Sequence, residues 1–221
     1  MSETASWAQA CVADTASLWR SLKGQYPFWR AGFSVFYSPV DGTAEVVIVG
    51  ANPGGGAAAF EEAVASRLPA VHDYYVEPDY KMARQMKDLF SRAGREDLLQ
   101  RSIKLNLNFF RSRNTAEWMT APPAVREKVE SHCRGWVVQL VERIRPPVLL
   151  CEGMATYDKL HALCGAKPSS VLIRTPTARA YVRSTTAWGL LLGIIHPTGG
   201  RPSTQTWHQV ADALRADLPR V

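Results

Sequence analysis

Apolar runs alternate with amphipathic stretches along most of the chain. Four runs are apolar enough to form buried strands, and they cover residues 44–50, 103–110, 147–153 and 190–197. Helical spacing of apolar residues follows in five stretches, at 60–68, 80–94, 123–144, 154–165 and 203–218. Continuous apolar strands that alternate with helices are typical of a parallel sheet covered on both faces. The pattern therefore predicts an α/β fold, a three-layer αβα sandwich with a central four-stranded parallel sheet.

Two peripheral β-hairpins are predicted beside this sheet. Residues 33–38 and 44–50 read as strands joined by a turn at Asp41-Gly42. Residues 171–189 read as a second hairpin, inserted before the last core strand. No linker interrupts the pattern, so we expect one domain over residues 1–221.

Composition narrows the functional class only a little. The chain has 221 residues, 46% of them hydrophobic, which is enough for one full core. Its net charge of +6 favours polyanionic partners such as DNA, but a merely basic surface explains it equally well. No apolar run reaches the roughly 18 residues of a membrane span, and the first residues lack the order of a signal peptide. We therefore expect a cytoplasmic protein with no membrane partner.

Polar residues follow each predicted strand, where ligands bind in open α/β sheets. A glycine-rich segment covers 50–56, and Asn106 and Asn108 lie in the second strand. Glu152 ends the third strand, and His196 follows the fourth. Because the carboxyl ends of parallel strands share one edge, these groups should converge there.

This arrangement resembles the uracil-DNA glycosylase superfamily. VVIVGANPGGG is similar to the first motif of its mismatch-specific and single-strand-selective branches, and GIIHPTGG to the second. KLNLNFFRS and PPVLLCEGMATYDKL look like the strands between these motifs, so the likeness extends from about residue 33 to residue 217. It implies a metal-free, cofactor-free hydrolase that removes uracil or a related deaminated base from DNA and leaves an abasic site. We expect it to act as a monomer.

The resemblance assigns the two catalytic positions to Asn52 and His196. The Asn52 carbonyl would orient a water towards the sugar carbon, although an amide is not a general base near neutral pH. Its alternative role is to shape the turn before Pro53. His196 would donate a hydrogen bond from a neutral ring to the O2 oxygen of the leaving pyrimidine.

The base-reading residues are less sharply defined. Asn106 is the favoured reader of the base edge, and Asn108, two residues on, is predicted to face the same side of the strand. One or both could instead satisfy neighbouring backbone groups. Tyr75 and Tyr80 are candidates to stack on a flipped base, and either could equally belong to the core. Ala51 completes the predicted base-binding set.

The predicted DNA contacts come mainly from the two glycine-rich loops. They are Gly54, Gly55, Thr198, Gly199, Gly200, Arg201, Ser203 and Arg111. Further candidates for backbone phosphates are Lys104, Arg113, Arg174, Arg179 and Arg183.

Two other functions stay open beside glycosylase activity. The same fold could bind nucleic acid or a modified nucleotide without catalysis, which Asn52 in place of an aspartate allows. A Rossmann-like use of GANPGGG for a nucleotide phosphate is weaker, because neither GxGxxG nor GxxxxGK[ST] is present.

Some glycosylase branches carry an iron–sulfur cluster. Cys133 lies near one ligand position but Phe110 stands at another, so we predict no cluster. The glycosylase interpretation requires Asn52, Asn106 and His196 to surround one base-sized cavity.

Overall fold

The protein is described from a computed structural model. It covers residues 2–26, 31–52, 67–76, 80–112, 114–200 and 202–220, and the backbone of 63–64. The helices are α1 (Glu3–Leu22), α2 (Asp73–Val76), α3 (Lys81–Arg92), α4 (Glu96–Arg101), α5 (Thr115–Met119), α6 (Pro123–Ile144), α7 (Met154–Leu163) and α8 (Thr204–Asp217). The strands are β1 (Gly32–Phe33), β2 (Val46–Gly50), β3 (Ala63–Val64), β4 (Ile103–Asn106), β5 (Val148–Glu152), β6 (Ser170–Arg174), β7 (Arg179–Thr185) and β8 (Leu190–Ile194).

The main sheet is mixed and has six strands in the order β4-β2-β5-β8-β7-β6. Strands β4, β2, β5 and β8 run parallel, whereas β7 pairs antiparallel with both β8 and β6. The α/β class is therefore confirmed, but the predicted four-stranded parallel sheet is not. The second hairpin was expected at the periphery and instead extends the sheet, because β7 pairs with β8 from Tyr181↔Ile194 to Thr185↔Leu190. This pairing satisfies the backbone groups that an exposed edge of β8 would leave open.

The prediction that residues 33–38 and 44–50 form a hairpin is wrong. Residues 32–33 pair in parallel with 63–64, and Phe36 forms an isolated antiparallel bridge with Leu105 of β4. The segment from 33 to 38 thus lies against the outer strand of the sheet rather than against β2. Residues 63–64, predicted as part of a helix, are extended, and 60–62, 65 and 66 lie outside the described residues.

Alternating side chains of the strands divide the core into two halves. Val47 and Val49 pack with buried residues of α1, α6 and α7. Val46 and Ile48 pack on the other face with buried residues of α3, α4 and α8. Helices therefore cover both faces of the sheet, as a buried parallel sheet requires. Within the described part of the chain, no helix is long and apolar enough to cross a membrane.

Candidate functional site

A cavity of about 460 Å³ opens at the carboxyl ends of β2 and β4, on the side of the sheet that α6 and α7 cover. Its volume lies in the range of ordinary small-molecule sites. The described residues that line it are Ala51, Asn52, Leu107, Asn108, Ser112, Trp118, Glu130, Arg134, Ala155, Thr156, Lys159, Ala162 and Leu163. Three predicted site residues, Ala51, Asn52 and Asn108, thus share one cavity.

Asn52 follows β2 and is half-buried at the wall of this cavity. Its Nδ2 donates to Ser112 Oγ at 2.9 Å and to the Ser112 carbonyl oxygen at 3.2 Å. These two bonds fix the orientation of the amide, with Nδ2 towards Ser112. Acceptor chemistry at this position must therefore come from Oδ1, the atom that the water-orienting role requires.

In Asn108 it is the amide oxygen, rather than the amide nitrogen, that the protein holds. Its Oδ1 accepts from the Phe110 backbone N–H at 3.3 Å and from the Cys133 thiol at 3.7 Å. Burial raises the pKa of Cys133 to about 12, so the thiol keeps its proton at neutral pH and can donate it. With Oδ1 held in this way, the chemistry that Asn108 offers a ligand is that of an Nδ2 donor.

Asn106 does not line the cavity. It ends β4 on the opposite face of the sheet, where a Cβ placed on Gly50 would lie 2.1 Å from Asn106 Oδ1 and 3.2 Å from Glu152 Oε2. The prediction that Asn106 and Asn108 face the same side is wrong. The regular strand stops at Asn106, and the chain bends at Leu107 before Asn108 turns towards Cys133.

A closed polar cluster surrounds Asn106. The buried Tyr74 hydroxyl donates to the Glu152 carboxyl group, and Asn106 bonds to the Tyr37 hydroxyl. Burial, followed by the charge of Glu152, raises the pKa of Tyr74, which keeps this phenol a donor. Glu152 and Asn106 are only 4% and 6% exposed, so the cluster is shut off from solvent.

Asp73 holds the outer part of the same cluster. Its carboxylate accepts from Tyr80 at 2.8 Å and pairs with Lys104 Nζ at 3.2 Å. The Lys104 ammonium also lies 3.9 Å from the centre of the Tyr74 ring. Lys104, a predicted phosphate contact, is therefore 6% exposed and committed to internal partners.

His196 is half-buried in the loop after β8. Its Nδ1 accepts from the backbone N–H of Gly199 at 2.9 Å and of Thr198 at 3.3 Å. A neutral imidazole bonded in this way carries its proton on Nε2, as a donor to a leaving base must. His196 lies against Gly153, immediately before α7, but it does not line the described cavity.

The glycines of this loop are required by the loop itself. A Cβ on Gly199 would lie 3.2 Å from His196 Nδ1, and one on Gly200 would lie 2.3 Å from Ile195 Cγ1. Neither glycine has a positive φ. Close approach to a phosphate is thus not needed to explain either residue.

Several other predicted contacts have internal roles. Ser203 caps α8 by accepting from Thr206 N–H at 3.1 Å, and buried Arg111 donates to the Ala31 carbonyl oxygen at 3.1 Å. Tyr75 and Tyr80 pack against the half of the core that α3, α4 and α8 cover, and they line no part of the cavity.

Of the remaining basic candidates that the structure describes, two are paired with carboxylates and one is exposed. Arg179 pairs with Asp158 at 2.6 Å, and Arg183 pairs with Asp217 at 2.7 Å. Arg174 is exposed at the end of β6. The predicted contacts Gly54, Gly55, Arg113 and Arg201 lie outside the described residues.

Sequence reasoning missed the helical walls of the cavity. Trp118 donates from Nε1 to Glu130 at 3.1 Å, and Arg134 lies one turn beyond Glu130 on α6. Thr156 and Lys159, three residues apart on α7, line the wall that this helix supplies. Their i, i+3 and i, i+4 spacing was visible in the sequence, but it does not say which helix face meets a cavity.

No group of three or more metal-binding side chains occurs among the residues that the structure describes. Comparison with models of known protein families gives no match, and comparison with curated proteins gives none. The resemblance to uracil-DNA glycosylases therefore rests on the motifs alone. Of Asn52, Asn106 and His196, which were expected to surround one cavity, only Asn52 lines it.

Proposed function

We propose that the protein removes a deaminated base from DNA by hydrolysing its N-glycosidic bond. One observation supports this above the others: Asn52 and Asn108 line a single strand-end cavity with opposite ends of their amides held. Because Asn52 Nδ2 faces Ser112 and Asn108 Oδ1 faces Phe110 and Cys133, the proposal assigns acceptor chemistry to Asn52 Oδ1 and donor chemistry to Asn108 Nδ2. The two residues thus provide for a water and for a base carbonyl, the two groups that the reaction brings together.

Asn108 reads the base in this proposal. Its Nδ2 donates to a ring carbonyl of the kind that deamination creates, such as O4 of uracil or O6 of hypoxanthine. Cytosine and adenine present an amino donor at the same position and would leave the Asn108 donor without an acceptor. A buried polar group without its partner disfavours binding strongly.

Asn52 and His196 act on the bond. Asn52 Oδ1 orients a water whose oxygen bonds to the sugar C1′ while the C1′–N bond breaks. The bond's electron pair leaves with the base, and the water's proton reaches the base through solvent. His196 lies beside Gly153 and outside the described lining of the cavity, and in this proposal its Nε2–H stabilises the negative charge that develops on the leaving base.

A non-catalytic binder of DNA or of a modified nucleotide is the second candidate. It is favoured by His196 and Asn106, which lie outside the described lining of the cavity. In that case Asn52 and Asn108 would recognise a base without cutting it.

Oligonucleotides bearing one uracil, hypoxanthine, xanthine or mismatched thymine test the proposal. Both single-stranded and double-stranded forms are incubated with the protein, and alkali then reveals abasic sites. We expect cleavage of at least one substrate, reduced about 100-fold or more in Asn52→Ala and in His196→Ala. Binding without abasic sites over the whole panel would favour the second candidate, and neither binding nor cleavage would end both.

A further inference from the structure

The helical walls of the cavity carry positive charge that base recognition does not use. Lys159 on α7 and Arg134 on α6 both line the cavity, whereas the two asparagines come from the segments that follow β2 and β4. The cavity thus combines an amide pair from the strand ends with two cations from the helices.

Lys159 is the more available of these cations. It is exposed, and none of the described carboxylates lies within ion-pair distance of it. Its neighbour Asp158 instead holds Arg179 through two bonds, of 3.0 and 2.6 Å. The ammonium can therefore meet a ligand without first breaking an internal pair.

Arg134 also keeps donors for a ligand. Its guanidinium pairs with Glu127, whose side chain is 65% exposed, and such exposed pairs contribute little. Glu130, the carboxylate that lines the cavity, already accepts from Trp118. A guanidinium has five N–H donors in a planar fork, which suits it to phosphate oxygens.

We infer that the cavity binds a nucleoside monophosphate unit, with its base at Asn52 and Asn108 and its phosphate between Lys159 and Arg134. This inference rests on the proposed function for the placement of the base and adds the phosphate as a recognised group. A volume of about 460 Å³ admits more than a pyrimidine ring, and the apolar residues Trp118 and Leu107 provide walls between the polar groups. The unit could be a free nucleotide or a nucleotide within a strand.

Calorimetric titration separates the base contribution from the phosphate contribution. The probes are deoxyuridine and deoxyinosine, their 5′-monophosphates, and a short single-stranded oligonucleotide carrying either base. We expect each monophosphate to bind about 10-fold more tightly than its nucleoside at low salt. Lys159→Gln should reduce this ratio to about 3 or below, while the affinity for the nucleoside stays unchanged.

Lys81→Gln is the matched control, because Lys81 is an exposed lysine on α3, which packs on the other face of the sheet. It should leave the ratio as in the wild type. Tighter binding of the oligonucleotide, with a salt dependence that falls by about one charge in Lys159→Gln, identifies a strand as the source of the phosphate. Tighter binding of the monophosphate identifies a free nucleotide.

Equal affinities for nucleoside and monophosphate, no binding of either, or a ratio that Lys159→Gln leaves unchanged would overturn the inference. These outcomes are separable from failure of the proposed function. Phosphate-dependent binding without abasic sites removes only the glycosylase, and base removal without phosphate dependence removes only the phosphate site.

Discussion

The two faces of the sheet differ at its carboxyl edge: one carries an open cavity and the other a closed polar cluster. On the α6/α7 side, Asn52 and Asn108 line an open cavity, with Asn52 Nδ2 bonded to Ser112 and Asn108 Oδ1 bonded to the Phe110 N–H. On the α2/α3 side, Asn106 and Glu152 are buried in a closed cluster with Tyr74. Two asparagines that are two residues apart thus lie in opposite surroundings, Asn108 at an open cavity and Asn106 in a closed cluster.

This difference teaches where recognition can be placed on such an edge. A polar group whose partners are all internal rigidifies the fold but has nothing left to offer a ligand. The Asn108 amide is instead oriented through Oδ1, and Nδ2 is the atom that we propose to meet a ligand. Substitutions on the closed side and on the cavity side should therefore have different effects.

Gly50→Ala should have the largest effect on stability. Its new Cβ would lie 2.1 Å from Asn106 Oδ1, inside the closed cluster, so the buried side chains must shift. We expect the free energy of unfolding to fall by about 2 kcal/mol, measured by urea denaturation.

Gly135→Ala provides the control for this substitution. A Cβ at Gly135, within α6, meets nothing within 4 Å, so alanine should raise stability by up to about 1 kcal/mol through helix propensity. Equal effects of the two substitutions would show that the cluster around Asn106 is loosely packed.

Tyr74→Phe should rank next. It removes the hydroxyl that donates to Glu152 and leaves a buried carboxyl group without that donor, at a cost of about 1.5 kcal/mol. Tyr75→Phe changes a half-buried neighbour and should cost less than about 0.5 kcal/mol. Thermal and urea unfolding of the two variants would contradict the closed cluster if Tyr74→Phe proved the milder change.

Acid should weaken the closed side through Asp73. Burial alone would raise the pKa of Asp73, but hydrogen bonds from His72 and Tyr80 and the charge of Lys104 outweigh it and lower that pKa below its ordinary 3.8. A depressed pKa in the folded state stabilises the protein above pH 3.8, and this contribution is lost as the pH falls through the folded value.

Asp73→Asn isolates that contribution. It should cost about 1 kcal/mol at pH 7 and should reduce the loss of stability between pH 5 and about pH 2 relative to the wild type. Unfolding free energies measured over this range provide the check. Identical acid profiles for the two proteins would mean that Asp73 is not stabilised by its partners.

The sequence predicted the alternation of strands and helices well, because buried parallel strands and amphipathic helices leave strong periodic signals. It did not predict that β7 would join β8, since a strand that extends a sheet and a free hairpin have the same alternating pattern. It correctly placed Asn52 at the carboxyl edge of the sheet. It misjudged Asn108, because the end of β4 at Asn106 and the bend after it depend on tertiary contacts with Cys133 and Phe110.

The walls of the site were the hardest part to foresee. Trp118, Arg134 and Lys159 come from three different helices, and only their packing brings them to one cavity. The spacing of these residues along the chain does not show that they lie together in the fold. Asn106, conversely, matched the expected motif in sequence, yet its side chain is buried and bonds to the Tyr37 hydroxyl.

Comparing Asn108→Ala with Asn106→Ala in binding a deoxynucleoside monophosphate tests the central division most directly. Both dissociation constants are corrected for the folded fraction of each variant. Loss of a donor to a base carbonyl should weaken binding by Asn108→Ala about 10-fold or more, while Asn106→Ala should bind as the wild type does and lose stability instead. The reverse result, with binding lost in Asn106→Ala and kept in Asn108→Ala, would place recognition on the closed side and contradict the account.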